Sequence, residues 1–168
     1  MEIEIKLTYQ DKSKVVDRVK ELGFTFDKTT NLSDTYFGIE DQSMSNKSKL
    51  FRIRDKDGKT ELTLKDGLTD NKGIWTRREI NVGINNIDGV KDILQSLGCK
   101  FIKENRSTRE IWKKDDVSFE FISFTVPAVL KIIEIEASSE NSINDIMTSL
   151  STLVTKAGED VFAIFDKK

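Results

Sequence analysis

The chain of 168 residues contains no histidine. That excludes the usual general base near neutral pH, the commonest nitrogen ligand for a metal, and every Ser-His or Cys-His device. There is one cysteine, so no intrachain disulfide can form and a reducing compartment fits. Cys99 has no imidazole to activate it and lies in an apolar-flanked stretch, which suits a small core residue. Long apolar runs are also missing. None approaches the roughly 18 residues of a membrane span. The first residues are acidic, without the basic-then-apolar pattern of a signal peptide, and the expected location is cytoplasmic. Charge of one sign is lacking too: 27 basic and 29 acidic residues leave a net charge of −2, which gives no support for a nucleic-acid partner. Chemistry must therefore come from carboxylates, Lys, Arg, Tyr, water or a bound metal.

What is present is a charged but foldable chain, 37% hydrophobic and 33% charged. Its length suffices for one domain with a real core, and no linker interrupts it, so residues 1–168 are expected to form a single domain. Met1 to Leu7 alternates without a break, putting Glu2, Glu4 and Lys6 on one face of a strand and Ile3, Ile5 and Leu7 on the other. A helix is predicted over 12–22, capped by Asp11 or Ser13 and stopped by Gly23. Further strands are expected at 33–37, 50–54, 61–65, 75–82, 99–113, 117–124 and 132–137, with Asp57-Gly58 as a hairpin turn. The segments 38–49 and 66–73 read as loops. A second helix is predicted over 88–97, with Asp88 as cap and Val90, Ile93, Leu94 and Leu97 as its apolar face. In a third, Ser142 caps, Ile143, Ile146, Met147, Leu150, Leu153 and Val154 point inward, and Gly158 is the stop. The apolar tail 161–165 is expected to dock. Leu22-Gly23-Phe24-Thr25-Phe26-Asp27-Lys28 resembles Leu97-Gly98-Cys99-Lys100-Phe101-Ile102-Lys103, and each copy follows a strand and a helix, so a pseudo-symmetric antiparallel sheet is predicted.

The charged faces of the strands carry the functional signal. The acids are Glu2, Glu4, Glu61, Glu79, Glu134 and Glu136; the bases are Lys6, Arg52, Arg54, Lys65 and Arg77, with Arg106 and Arg109 on a further strand. Half-exposed antiparallel strands often alternate in this way, and cross-strand Glu–Lys and Glu–Arg pairs support them modestly. Recurrence argues for more, because five strands place acid or guanidinium at i and i+2. Carboxylates at i and i+2 repel unless a cation neutralises them. With oxygen ligands only, Mg²⁺ or Mn²⁺ is favoured. Rows of Arg and Lys suit an anionic ligand, since guanidinium grips phosphate in a fork and ammonium acts as a point charge. Together they describe a polyphosphate site.

Glu2-Ile3-Glu4-Ile5-Lys6 resembles the Glu-x-Glu-x-Lys signature of the CYTH superfamily, named for class IV adenylyl cyclases and thiamine triphosphatases and also called triphosphate tunnel metalloenzymes. Asp34-Thr35-Tyr36-Phe37, Phe51-Arg52-Ile53-Arg54, Leu62-Thr63-Leu64-Lys65, Arg77-Arg78-Glu79 and Glu134-Ile135-Glu136 follow in family order. The start and the Asp-Thr-Tyr-Phe segment look most like the class IV cyclase branch. The resemblance implies an α+β fold: a closed antiparallel barrel of about eight strands with helices packed outside. It implies that Glu2, Glu4, Glu134 and Glu136 hold divalent metal. It gives Lys6, Arg52, Arg54, Lys65 and Arg77 to the triphosphate, and Glu79 to orienting its neighbours or assisting at a second metal. The family's later basic pair maps onto Lys103 or Arg106 and then Arg109. One segment departs. Relatives carry Leu-Asp-x-Val-x-x-Leu-Gly where this chain has Ser123-Phe124-Thr125-Val126-Pro127-Ala128-Val129-Leu130, so the Asp and the Gly are missing. Glu120 lies near enough to compensate.

The first hypothesis is an enzyme using Mg²⁺ or Mn²⁺ on a small-molecule triphosphate, leaning to adenylyl cyclase with Lys6, Lys65 and Glu79 at the chemistry. Hydrolysis of inorganic triphosphate, thiamine triphosphate or a nucleotide is the close alternative. A non-catalytic polyphosphate- or nucleotide-binding module is the alternative of another class, and a solvated β scaffold the blandest. Tyr36, Phe37 and Trp75 could stack on adenine, although core packing is the commoner use for each. A homodimer is the default assembly.

Overall fold

The computed structural model describes residues 2–39 and 49–158, and only the backbone of Glu2 and 68–71. The chain runs β1 (Glu2–Tyr9), α1 (Lys12–Glu21), β2 (Thr25–Ile39), β3 (Leu50–Lys56), β4 (Lys59–Asn71), β5 (Ile74–Ile84), α2 (Ile87–Ser96), β6 (Cys99–Lys114), β7 (Val117–Val126), β8 (Leu130–Ala137), α3 (Glu140–Leu150) and β9 (Val154–Lys156). The sheet order is β5-β4-β3-β2-β6-β7-β8-β1, and β1 pairs back onto β5, so eight antiparallel strands close into a barrel. β9 adds to the far end of β1, where Tyr9 faces Val154 and Leu7 faces Lys156. No helix among the described residues is long and apolar enough to cross a membrane.

Alternation decides which way each strand faces. The apolar rows point outward, under the helices. Ile5 and Leu7 of β1, Phe119 and Phe121 of β7, and Ile133 and Ile135 of β8 pack on Val15 and Val19 of α1 and on Ile143 and Leu150 of α3. A smaller cluster of Phe37, Ile53 and Cys99 sits beneath Leu94 of α2. Phe37 is therefore core, and so is Cys99, whose thiol is pushed up in pKa by burial. The charged rows face the bore.

The predicted repeat is real in the topology. Exchanging β1 with β5, β2 with β6, β3 with β7 and β4 with β8 reproduces every pairing in the barrel. The spacing that carries Gly23 to Gly98 also carries Glu2 to its register partner Arg77 and Leu32 to its partner Ser107. A pseudo-two-fold axis thus passes through the β1–β5 and β2–β6 seams.

Several boundaries differ from the sequence reading. Residues 66–71 are strand rather than loop. Gly67, at φ 63°, forms a bulge between Asp66 and Leu68, and β4 continues past it to a tight turn at Lys72-Gly73. Gly38 and Ile39 likewise belong to β2; residues 40–48 of that expected loop, and the apolar tail 161–165, lie outside the described residues. α2 starts one residue early because Asn86, not Asp88, accepts the Gly89 N–H at 2.9 Å. Its Ile93 and Leu97 are 60% and 70% exposed, so only part of the expected apolar face is covered. α3 is capped by Ser139, which takes the Ser142 N–H at 3.1 Å, and it ends at Leu150. Val154 reaches the core from β9 instead.

Candidate functional site

Inside the barrel, ionisable side chains from all eight strands meet in ion pairs. Lys6 of β1 reaches Glu134 of β8 at 3.0 Å and makes a very close contact with Glu4. Arg109 of β6 binds Glu120 of β7 at 2.7 Å and Glu134 at 2.8 Å. Glu134, 8% exposed, is the hinge of this set, since it bridges two cations from different strands. On the other wall Arg54 of β3 grips Asp34 of β2 through both guanidinium arms, at 2.6 and 2.7 Å. Glu79 of β5 contacts Lys65 of β4 closely and stands 3.8 Å from Arg52, which also donates to Thr63 at 3.0 Å.

Burial and charge oppose one another at Lys6, Arg109, Glu134 and Asp34. Burial alone would lower the Lys6 pKa, but Glu134 and then Glu4 outweigh it and hold the ammonium charged. Arg109 is kept charged against its burial by Glu134 and Glu120. Burial would raise Glu134, yet Lys6 and Arg109 pull it well below the usual carboxylate range. Asp34 is held down likewise, by Arg54 first and then Arg52 and Arg109. Glu136 is the exception. Burial lifts its pKa, and Glu134, Glu120 and Glu4 lift it further. Negative charge accumulates there, and Lys113 offsets it only in part.

The pseudo-two-fold explains why the two walls differ. It sets Lys65, opposite Glu79, against Glu136, opposite Glu4; it sets Arg52, opposite Thr63, against Glu120, opposite Glu134. One scaffold carries a cationic wall on β3 and β4 and an acidic wall on β7 and β8.

The predicted residues fall out as follows. Glu4, Lys6, Arg52, Arg54, Lys65, Glu79, Arg109 and Glu134 are brought together in the pairs above. Arg77 shares their row on β5, and its Nε is buried without a partner among the described residues, as are the Nε atoms of Arg52 and Arg109. Glu2 sits opposite Arg77 in the backbone register. Glu136 is exposed beside Glu4. Arg106 does not join them. It projects from the opposite face of β6, 62% exposed, bonded to Glu104, and lines a separate groove of about 380 Å³ with Asp55 and Asp57. Of the mapped residues, Arg109 faces the bore, and so does Lys103, the alternative to Arg106, which shares the row of Arg109 on β6 and stands 6.0 Å from the centre of the Tyr36 ring. Asp34 is an interior acid to which the sequence reading gave no role, and Glu120, named there only as a substitute for the missing Asp, is an interior partner of Arg109. The signal for both was alternation: Leu32-x-Asp34-x-Tyr36, and Glu120 between Phe119 and Phe121, whose rings are core. The altered segment forms the end of β7 and the β7–β8 hairpin, with Phe124 opposite Leu130.

No group of three or more metal-ligating side chains converges among the described residues. The acids present still suit a divalent cation. Glu4 and Glu136 are register partners on β1 and β8, both are hard oxygen donors, and the raised pKa of Glu136 marks charge that a cation would relieve. Two protein carboxylates, with the remaining positions left to phosphate and water, is the usual provision for Mg²⁺.

Comparison with known proteins agrees with this arrangement. The CYTH domain family matches residues 1–161. A Methanocaldococcus jannaschii protein named "Putative adenylate cyclase MJ0240" is 39% identical over 117 residues, which cover 70% of this chain and 66%, just under two thirds, of that relative. The structure of PH1819 from Pyrococcus horikoshii superposes with a TM-score of 0.73 over 99% of this chain and 100% of that one, at 23% identity. That of Hippeastrum HpAC1, described as a "putative adenylyl cyclase" with "a dominant" triphosphatase activity, superposes with a TM-score of 0.71 over 98% and 95%, at 17% identity. A closed antiparallel barrel, outward helices and an inward charged lining accompany a family match over nearly the whole sequence: the chain belongs to the CYTH domain family.

Proposed function

We propose that this protein is a divalent-metal-dependent enzyme that holds a triphosphate in the barrel and converts ATP to cyclic AMP and pyrophosphate. The observation that carries the reading is the bore itself, where Arg52, Arg54, Lys65, Arg77, Arg109 and Lys6 line one space with Glu4 and Glu136 at its acidic side. Water-excluded guanidinium and ammonium groups bind phosphate oxygens far more strongly than exposed ones do. The 39% identical relative named as an adenylate cyclase supports the choice of reaction.

In this reading Glu4 and Glu136, with Glu2 on the same row of β1, would hold the cation, which would supply charge neutralisation and make the ribose 3′-hydroxyl easier to deprotonate. The 3′-oxygen attacks the α-phosphorus as its proton passes to solvent water, and the bond from the α-phosphorus to the oxygen that bridges it to the β-phosphate breaks, releasing pyrophosphate. Arg52, Lys65 and Arg77 neutralise the charge that collects on the departing pyrophosphate. Glu79 orients Lys65 and Arg52 for that task, since it touches both. Lys6 and Arg109 position the phosphate chain from the opposite side.

Hydrolysis of the triphosphate is the second reading. The activity described for the Hippeastrum protein favours it. The same lining would then position a water instead of the 3′-hydroxyl. Incubation with ATP and Mn²⁺ or Mg²⁺ decides: cyclic AMP with pyrophosphate supports the cyclase, and orthophosphate the hydrolase. Binding of tripolyphosphate with no turnover of ATP, thiamine triphosphate or tripolyphosphate would overturn both.

A further inference from the structure

Trp75 lies in the bore, and neither the metal role nor the phosphate role accounts for it. Its strand neighbour Ile74 faces outward into the core beside Ile5, so Trp75 faces inward, as the register partner of Glu4 across the β1–β5 seam. The Lys6 ammonium stands 4.7 Å from the centre of its ring, inside the distance at which an aromatic face attracts a cation. Three groups therefore surround that ammonium: the Glu4 carboxylate, the Glu134 carboxylate at 3.0 Å, and the indole face.

We propose that Trp75 is a positioning residue for Lys6, fixing the ammonium over the bore when its carboxylate partners are drawn to other charges. The proposal rests on the triphosphate reading, in which Glu4 turns to a cation. Glu134 is already shared, because Arg109 holds its other oxygen. Either acid can be withdrawn by a competing positive charge. An indole has no charge to be withdrawn, and a hard divalent cation prefers oxygen to a ring face. Lys has a flexible four-carbon stem and gains most from such a fixed contact. An aliphatic residue of similar bulk would fill the same space without the ring's negative face.

A double-mutant cycle tests this. Tripolyphosphate binding in the presence of Mg²⁺ is measured by calorimetry for the wild type, Trp75→Leu, Lys6→Met and the double variant. Trp75→Leu should weaken binding about 5- to 30-fold, the range expected of a cation–aromatic contact between partly wet and dry. Trp75→Phe should retain most of the affinity. In the Lys6→Met background, Trp75→Leu should change nothing further. An equal loss in both backgrounds overturns the proposal, because the tryptophan would then act without the lysine. If the wild type binds no tripolyphosphate, it is the triphosphate reading that fails. The same four proteins then decide the positioning role by urea unfolding without ligand, where non-additive stabilities support the Lys6–Trp75 contact and additive ones reject it.

Discussion

Glu134→Gln should make the ligand-free protein weaker and its response to a polyanion stronger. The Glu134 carboxylate, 8% exposed, accepts from Lys6 at 3.0 Å and from Arg109 at 2.8 Å. Removing one partner of a buried pair costs roughly 3–5 kcal/mol when the other charge is left alone. Here Lys6 keeps Glu4 and Arg109 keeps Glu120, so the loss should fall below that range, at about 2–3 kcal/mol. For a domain of this size each kcal/mol moves Tm by about 2–4 °C, which gives a fall of about 4–12 °C. The substitution also takes one negative charge out of the bore and leaves Lys6 and Arg109 with one carboxylate each instead of two. Metal-free tripolyphosphate should then bind more tightly than it does to the wild type, and stabilise in proportion to RT ln(1 + [L]/Kd). Thermal unfolding at pH 7 with increasing tripolyphosphate and a chelator reads both effects. A destabilisation under 0.5 kcal/mol would refute the bridging role of Glu134. A smaller tripolyphosphate shift than that of the wild type would refute the claim that acids and phosphates compete for the same cations.

Other expectations follow from neighbouring groups. Arg77→Met removes a guanidinium whose Nε is buried without a partner among the described residues, so the ligand-free protein should be no less stable while the stabilisation by tripolyphosphate falls by about 1–2 kcal/mol in the same melts. Asp34 has a depressed pKa because of Arg54, so its contribution is present above the ordinary carboxylate value near 4 and is lost as pH falls through its lower folded value; Asp34→Asn should flatten the decline of urea stability below about pH 4. Arg106→Ala should leave tripolyphosphate affinity within about twofold of the wild type, since the side chain is exposed on the outer face, whereas Arg109→Ala should weaken it tenfold or more by the same calorimetry. The Cys99 thiol, 5% exposed and raised in pKa, should react with a disulfide reagent no faster than the protein unfolds.

Much of the barrel was legible because its strands obey a period of two. Ile3, Ile5 and Leu7 against Glu2, Glu4 and Lys6 fix which side of β1 is apolar, whatever the strand packs on. The Asp57-Gly58 turn was legible for a similar local reason, since its backbone adopts φ 51° and 80° and the sequence supplies residues that tolerate this. Gly67 misled because a glycine ends a strand or bulges it with the same local chemistry, and only the partner strand β5 decides between them. Arg106 misled because it and Arg109 lie three residues apart on an unbroken strand and must face opposite sides, and only the pairing of β6 with β2 decides which of them meets the bore.

The sequence by itself determined the alternation, the two-fold repeat, the absence of any histidine chemistry, and the identity of the charges available. It could not determine that the charged rows face one another, because an open sheet and a closed barrel share one pattern. Closure through the β1–β5 seam decided that, and with it the pairing of every charge. Which acid meets which base depends on register and strand tilt around eight strands. Those are long-range properties: Lys6 and Glu134 stand 3.0 Å apart though about three quarters of the chain lies between them.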